Sequence, residues 1–134
     1  MSLESNKELV RMFNKTLNAP DWEAQVRKLK LAGMSPEQVE EWIIEHRAFR
    51  KTFPDYHSEI LDLIAEGDKV VAIAKVTGTH RAEWPYYELK GIRATDLKLE
   101  WQEMQVFIIE DDALDVPYFL VDGVSRLQQL GVLP

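Results

Sequence analysis

Apolar and polar positions follow two different periods along this chain. In "NKELVRMFNKTL", Leu9, Val10, Phe13 and Leu17 fall at helical spacing, and Asn18-Ala19-Pro20 ends the segment. A second helix is predicted from Asp21 as N-cap, with Trp22, Val26 and Leu29 inward and Gly33 as its stop. The third has the clearest start: Ser35-Pro36-Glu37-Gln38 supplies a capping hydroxyl, a proline at the first helical position and a glutamine three residues after the cap. Val39, Trp42, Ile43, Phe49 and Phe53 form its apolar stripe, and Pro54 closes it.

From Tyr56 the period is two. "YHSEILDLIAEGDKVVAIAKVTGTH" reads as two strands joined at Glu66-Gly67-Asp68, a hairpin signal. A long strand over 96–109, the turn Glu110-Asp111-Asp112 and a strand over 113–121 follow. Asp122 is placed to cap a short terminal helix with Val124, Leu127 and Leu130 inward. Helices first and strands second, with no linker or repeat between, make residues 1–134 one α+β domain.

Strand parity locates a pocket. Val70, Ala72, Ala74, Val76, Gly78 and His80 share one uncharged face, which must be the buried one. Their small side chains require that helices packed over them either approach closely or leave a cavity. On the next strand, Leu97, Leu99, Trp101, Glu103, Gln105, Phe107 and Ile109 share a face, with two polar groups among apolar ones. Such a pattern suits the lining of a small-molecule site. Met104, Val106 and Ile108 on the opposite face are apolar as well, so a homodimer pressing sheet on sheet is expected.

Composition narrows the partners. Apolar residues make up 46% and charged residues 29%, ordinary for a globular domain, so disorder is not expected. A formal net charge of −7 with scattered basic residues argues against nucleic acid and against an acidic membrane surface. There is no cysteine, hence no disulfide, thiolate metal site or Cys nucleophile. No apolar run of about 18 residues and no charged-then-apolar leader is present, which predicts a cytoplasmic protein without a membrane span. Glycine-rich phosphate loops, HExxH and G-x-S-x-G are all absent, and the three histidines are scattered, so no metal is expected.

Four stretches, "FPDYHSEILDLIAEGDKVV", "VTGTH", "LEWQEMQVFIIEDD" and "LQQLG", read in that order, resemble the SnoaL-like polyketide cyclases, within the nuclear-transport-factor-like superfamily that also holds the ketosteroid isomerases. The resemblance covers residues 53 to 131, and "NKELVRMF" more loosely. It implies a cone: a strongly curved, mostly antiparallel sheet wrapped by N-terminal helices around a deep apolar cavity, with a short C-terminal helix. It also implies a chemistry without cofactor or metal, in which a carboxylate removes a proton next to a carbonyl and donors hold the enolate oxygen.

Departures from that family pattern matter for function. The cyclases carry an acid/base Asp on the last strand, commonly as Trp-Asp; counting back from Leu127-Gln128-Gln129-Leu130-Gly131, those positions here are Tyr118 and Phe119. "RKLKLAGMSPEQVEEW" runs almost directly from helix to helix where the family has a short strand with a polar pair. Phe13 stands where the isomerases have an oxyanion-donor Tyr, and Gln105 where they have a protonated Asp. "RAEWPYYELKGI" is long and aromatic, fit to form a lid.

The candidate catalytic groups are therefore His80 and Glu103 as acid or base and Gln105 as hydrogen-bond donor. Glu103 beside Trp101 sits in an apolar setting that would raise its pKa. His57 and His46 read as a surface or interface residue and a structural residue. Phe13, Trp84, Tyr87, Trp101, Phe107, Tyr118 and Phe119 are the candidate ligand contacts. Three functions are open: binding of a small hydrophobic, carbonyl-bearing molecule; a cyclase or isomerase with His80 or Glu103 as base; and a non-enzymatic dimerisation module whose cavity is filled by Phe119, Trp101 and Phe107.

Overall fold

The structure, a computed structural model, describes residues 2–134. Helix α1 is Leu3–Asn18, with Val10 and Leu17 buried and Leu9 and Phe13 half-buried on the same stripe. Helix α2, Trp22–Arg27, is shorter than its apolar spacing predicts, and the Asp21 side chain makes no capping bond. Leu29 lies beyond the helix but still packs against the cluster of Leu17, Trp22, Val26 and Ile43. Helix α3, Pro36–Thr52, begins with the predicted reciprocal capping box of Ser35 and Gln38. Four strands follow: β1 His57–Glu66, β2 Lys69–Thr79, β3 Lys98–Glu110 and β4 Ala113–Val121, then helix α4, Gly123–Gln129.

The strands form one antiparallel sheet in the order β1-β2-β3-β4. Gly67 turns the first hairpin at φ +59°, and Asp111 and Asp112 turn the last with φ of +51° and +60°. Asp tolerates that left-handed region better than most residues, and two in succession suit the twist of a tight hairpin. Register breaks between Ile60 and Asp62 and between Val106 and Ile108 bend the sheet around its helices.

Between α2 and α3, the Leu114 N–H donates to the Lys30 carbonyl at 2.9 Å and the Ala32 N–H to the Leu114 carbonyl at 2.8 Å. The segment that reads as a direct run from helix to helix thus keeps one parallel bridge to β4. At the opposite edge, Asn14 and Asn18 take the place of a further strand: the Ser58 N–H donates to Asn18 Oδ1 at 2.8 Å, and both amides donate back to the Ser58 carbonyl. These bonds fix α1 over β1 and cover an otherwise open sheet edge.

Gly78 shows why the inner face of β2 needs small residues. A Cβ there would lie 2.8 Å from Phe53 Cβ, so the end of α3 rests directly on the sheet. Phe53, Trp101, Leu89, Leu99 and Val76 close the core at this level. Further along, Val10, Val70, Phe107, Ile109 and Leu114 close it again. The terminal helix differs in one detail: Val124 is 58% exposed, and of the three predicted inward residues Leu127 and Leu130 pack against the core, with Arg126 buried beside them. Gln129 explains the "LQQLG" pattern. β4 ends opposite Glu103, and beyond it the Gln129 amide accepts from the Glu100 N–H at 3.0 Å and donates to the Glu100 carbonyl at 2.7 Å, continuing the ladder with a side chain. Among the described residues no helix is long and apolar enough to cross a membrane.

Candidate functional site

Between the two packed levels the helices stand off the sheet and leave a cavity of about 720 Å³. Its floor is the inner face of β3 at Glu103 and Gln105, and Trp101 is the next inward position, in the packed level beside it. Glu103 is buried, and its Oε2 accepts a hydrogen bond from the Trp101 indole N–H at 2.8 Å. Arg126 reaches the same oxygen from α4, its Nη2 at 3.9 Å, while its Nη1 donates to Glu88 Oε1 at 2.7 Å. The guanidinium lies over the Trp101 ring, 4.2 Å from the centroid. Asp122 holds the start of α4 by accepting from the Ser125 N–H, which aims Arg126 inward.

This arrangement leaves Glu103 Oε1 without a hydrogen-bond partner among the described residues. Burial raises the pKa of Glu103, and the Trp101 N–H and the Arg126 charge only partly offset that rise. Burial likewise pulls Arg126 down, with Glu88 and Glu103 opposing, but guanidinium remains a cation. The site therefore holds a carboxylate whose proton affinity is enhanced, facing an apolar space.

Six of the ten sequence candidates line the cavity: Phe13, Trp84, Tyr87, Glu103, Gln105 and Phe119. Phe119 stands at the rim, more than half exposed. His80 does not reach it. That ring is fully buried under Phe53, and its Nδ1 accepts the Thr95 N–H at 3.2 Å with the Thr95 hydroxyl at 3.0 Å. Burial lowers its pKa, so the ring is a neutral brace for the loop that enters β3. Trp101 and Phe107 lie in the packed levels on either side of the cavity, behind its wall. Tyr118 points the other way, 68% exposed on the convex face beside Val106.

The aromatic loop is fastened rather than free. Leu89 is fully buried, Trp84 packs edge-on against Phe49, and Glu88 holds Arg126. Only Tyr86 and Tyr87 project, and Tyr87, in the left-handed region at φ +54°, leans toward Glu45 across the mouth, whose charge raises the phenol pKa.

The helical wall holds a polar group outside the sequence candidates. His46, Arg50 and Tyr56 form a stack in which Arg50 lies 4.1 Å from the Tyr56 ring centroid and 5.1 Å from that of Trp22. Tyr56 is pushed well above the usual phenol range, first by burial and then by the Glu103 charge. His46 and Tyr56 both line the cavity. The spacing Trp42, His46, Phe49 carried the signal, since it puts the imidazole on the buried stripe of α3. Among the described residues, no group of three or more His, Asp or Glu side chains is placed to hold a metal.

A sequence profile described as SnoaL-like polyketide cyclase matches residues 7–130. The chain belongs to the SnoaL-like polyketide cyclase family. Among curated protein sequences none matches it. Solved structures of this SnoaL-like architecture are similar over nearly its whole length. TsrD of Streptomyces laurentii has a TM-score of 0.77 at 23% identity, covering 99% of this chain and 99% of that one. AclR of Streptomyces galilaeus has a TM-score of 0.78 at 19% identity, covering 99% and 85%. A SnoaL-like polyketide cyclase of Agrobacterium tumefaciens has a TM-score of 0.72 at 15% identity, covering 98% and 100%. At these identities the likeness establishes the fold alone.

Proposed function

We propose that this SnoaL-like protein binds a small hydrophobic, carbonyl-bearing molecule in its cavity, with the cyclase Asp position occupied by Phe119. The observation that carries this reading is the open volume of about 720 Å³, apolar on most sides and floored by Glu103 and Gln105. It is large enough for a two- or three-ring compound. Of the three aromatics that a self-filled dimerisation module would use, Trp101 and Phe107 are packed behind the wall and Phe119 stands at the rim, which supports an open cavity. Quenching of tryptophan fluorescence by bicyclic ketones such as 2-tetralone is expected to saturate. Val116→Trp, on the cavity wall, is expected to abolish the saturable component while leaving the circular dichroism unchanged. Equal quenching of both proteins would place the ligand elsewhere and overturn the reading.

Glu103 supports a second reading, that of an enzyme moving a proton next to the ligand's carbonyl. Its Oε1 is unengaged and its pKa is raised, both of which suit a general base. His80 is not among the residues that line the cavity, which favours Glu103 over it as the base in this reading.

We also propose a homodimer through the convex face. Cross-strand rows Ile64-Val71-Val106-Tyr118 and Ile73-Met104-Leu120 run across it, with Ile64, Met104, Tyr118 and Leu120 exposed. A two-fold axis through this face would lay these apolar rows against their own copies and remove them from water. Sedimentation should give a dimer for the natural sequence and a monomer for Tyr118→Lys/Leu120→Lys; a monomer in both cases would dismiss the pairing.

A further inference from the structure

His46 carries an inference that rests on the cavity reading and extends it to how the ligand's carbonyl is held. Its ring is clamped on one face by Trp42, with centroids 4.6 Å apart and planes 12° from parallel, and on the other by Phe49 at 5.6 Å and 18°. Trp22 and Tyr56 meet its edges at 5.0 and 5.8 Å. The ring therefore has one orientation. Arg50 Nε lies 3.1 Å from His46 Nε2. A guanidinium has only donors, so Nε2 must offer its lone pair, and the single proton of the neutral ring must sit on Nδ1. Arg50 is itself fixed, donating through Nη2 to the Leu17 carbonyl and lying over two aromatic rings.

Nδ1 has no hydrogen-bond partner among the described residues, and His46 is part of the cavity wall. We propose that His46 is the hydrogen-bond donor that receives the ligand's carbonyl oxygen, and that Arg50 is the positioning residue that fixes its tautomer. The ligand class that follows is one with an acceptor oxygen on an otherwise apolar frame: a ketone, or the enolate formed from it. A neutral imidazole with a depressed pKa polarises a carbonyl by donation without passing on its proton. Burial, reinforced by the Arg50 charge, holds His46 down to about 3, so the ring stays neutral across the working range. His80 is the contrast, since there the Thr95 N–H makes Nδ1 the acceptor and the ring lies away from the cavity.

Two measurements test this. Long-range ¹H–¹⁵N spectra of the natural protein, labelled at the imidazoles, are expected to show His46 as the Nδ1–H tautomer with no titration between about pH 5 and pH 8. Arg50 and Tyr56 are the titratable groups in contact with the ring, and Glu45, Glu88, Glu103, Asp115 and Arg126 share its cavity; among the described residues Arg50 donates to Nε2 and none donates to Nδ1. A proton on Nε2, or a titration near the ordinary histidine pKa, overturns the inference without any ligand. Binding of 2-tetralone and its hydrocarbon tetralin then separates this step from the cavity reading. The natural protein should prefer the ketone by about tenfold, the worth of one buried hydrogen bond, and His46→Phe, which keeps the stack, should lose that preference. No preference in the natural protein, or one that survives in the variant, removes the donor role and leaves the cavity intact. Binding of neither compound removes both.

Discussion

Arg126→Met is expected to destabilise the protein by about 3–5 kcal/mol near neutral pH, the usual cost of removing one partner from a buried charge pair. Arg126 is 3% exposed, and Glu103, against it, is 7% exposed, so Glu103 would be left as a carboxylate in an apolar setting with only the Trp101 N–H to hold it. Glu88 is a smaller concern because water reaches it. The loss should depend on pH. Burial raises the folded-state pKa of Glu103, so its contribution is fully present below the ordinary carboxylate pKa and is lost as pH rises through the folded value. Without Arg126 that folded value is higher still, and the loss extends further up the pH scale. Urea denaturation should accordingly show a smaller deficit at about pH 5 than at about pH 8, and the further change Glu103→Gln should recover part of it. A deficit under about 1 kcal/mol, or one identical at both pH values, would mean that Arg126 and Glu103 are not coupled as the geometry indicates.

Much of this architecture is legible in the chain because period reports which face of an element is buried. The capping box at Ser35, the Gly67 turn, the Asp111-Asp112 turn and the inward face of β2 all follow from local chemistry. Period does not report position along the sheet. His80, Trp101 and Phe107 are on the inner face as parity requires, yet each lies at a level where helix or strand packs directly against it, as Phe53 does over Gly78. Tyr118 and Phe119 are adjacent on one strand, so at most one can face inward, and Phe119 is that one. Arg126 and His46 escaped for another reason. Each is a polar residue on an apolar helical stripe, Arg126 four residues before Leu130 and His46 four after Trp42, and their partners come from distant elements. Helical spacing alone reads such a residue as an interruption of the stripe, whereas Glu88 and Glu103 make one part of the site and the Trp42-Phe49 clamp makes the other.

Glu103→Gln is expected to carry the largest functional effect. In heavy water the natural protein should exchange the protons next to the carbonyl of a bound bicyclic ketone faster than buffer does, because Glu103 Oε1 is free to take a proton while Oε2 is held by Trp101 and faced by Arg126. The proton moves to the carboxylate and the C–H bonding pair becomes the enolate; the carboxyl proton exchanges with heavy water, and a deuteron then returns from the carboxyl to carbon. Glutamine keeps the acceptor for Trp101 and the shape of the floor but cannot take that proton, so the rate should fall by about 10²–10⁴-fold, toward the buffer value. Since the active form is the ionised carboxylate, exchange should rise with pH and level off above a pKa higher than that of an ordinary glutamate. His80→Ala, altered outside the cavity, should leave the rate per folded molecule unchanged. Loss of exchange in His80→Ala but not in Glu103→Gln would reverse this assignment. Exchange at the buffer rate for every ketone that binds would instead leave a cavity that holds its ligand without chemistry.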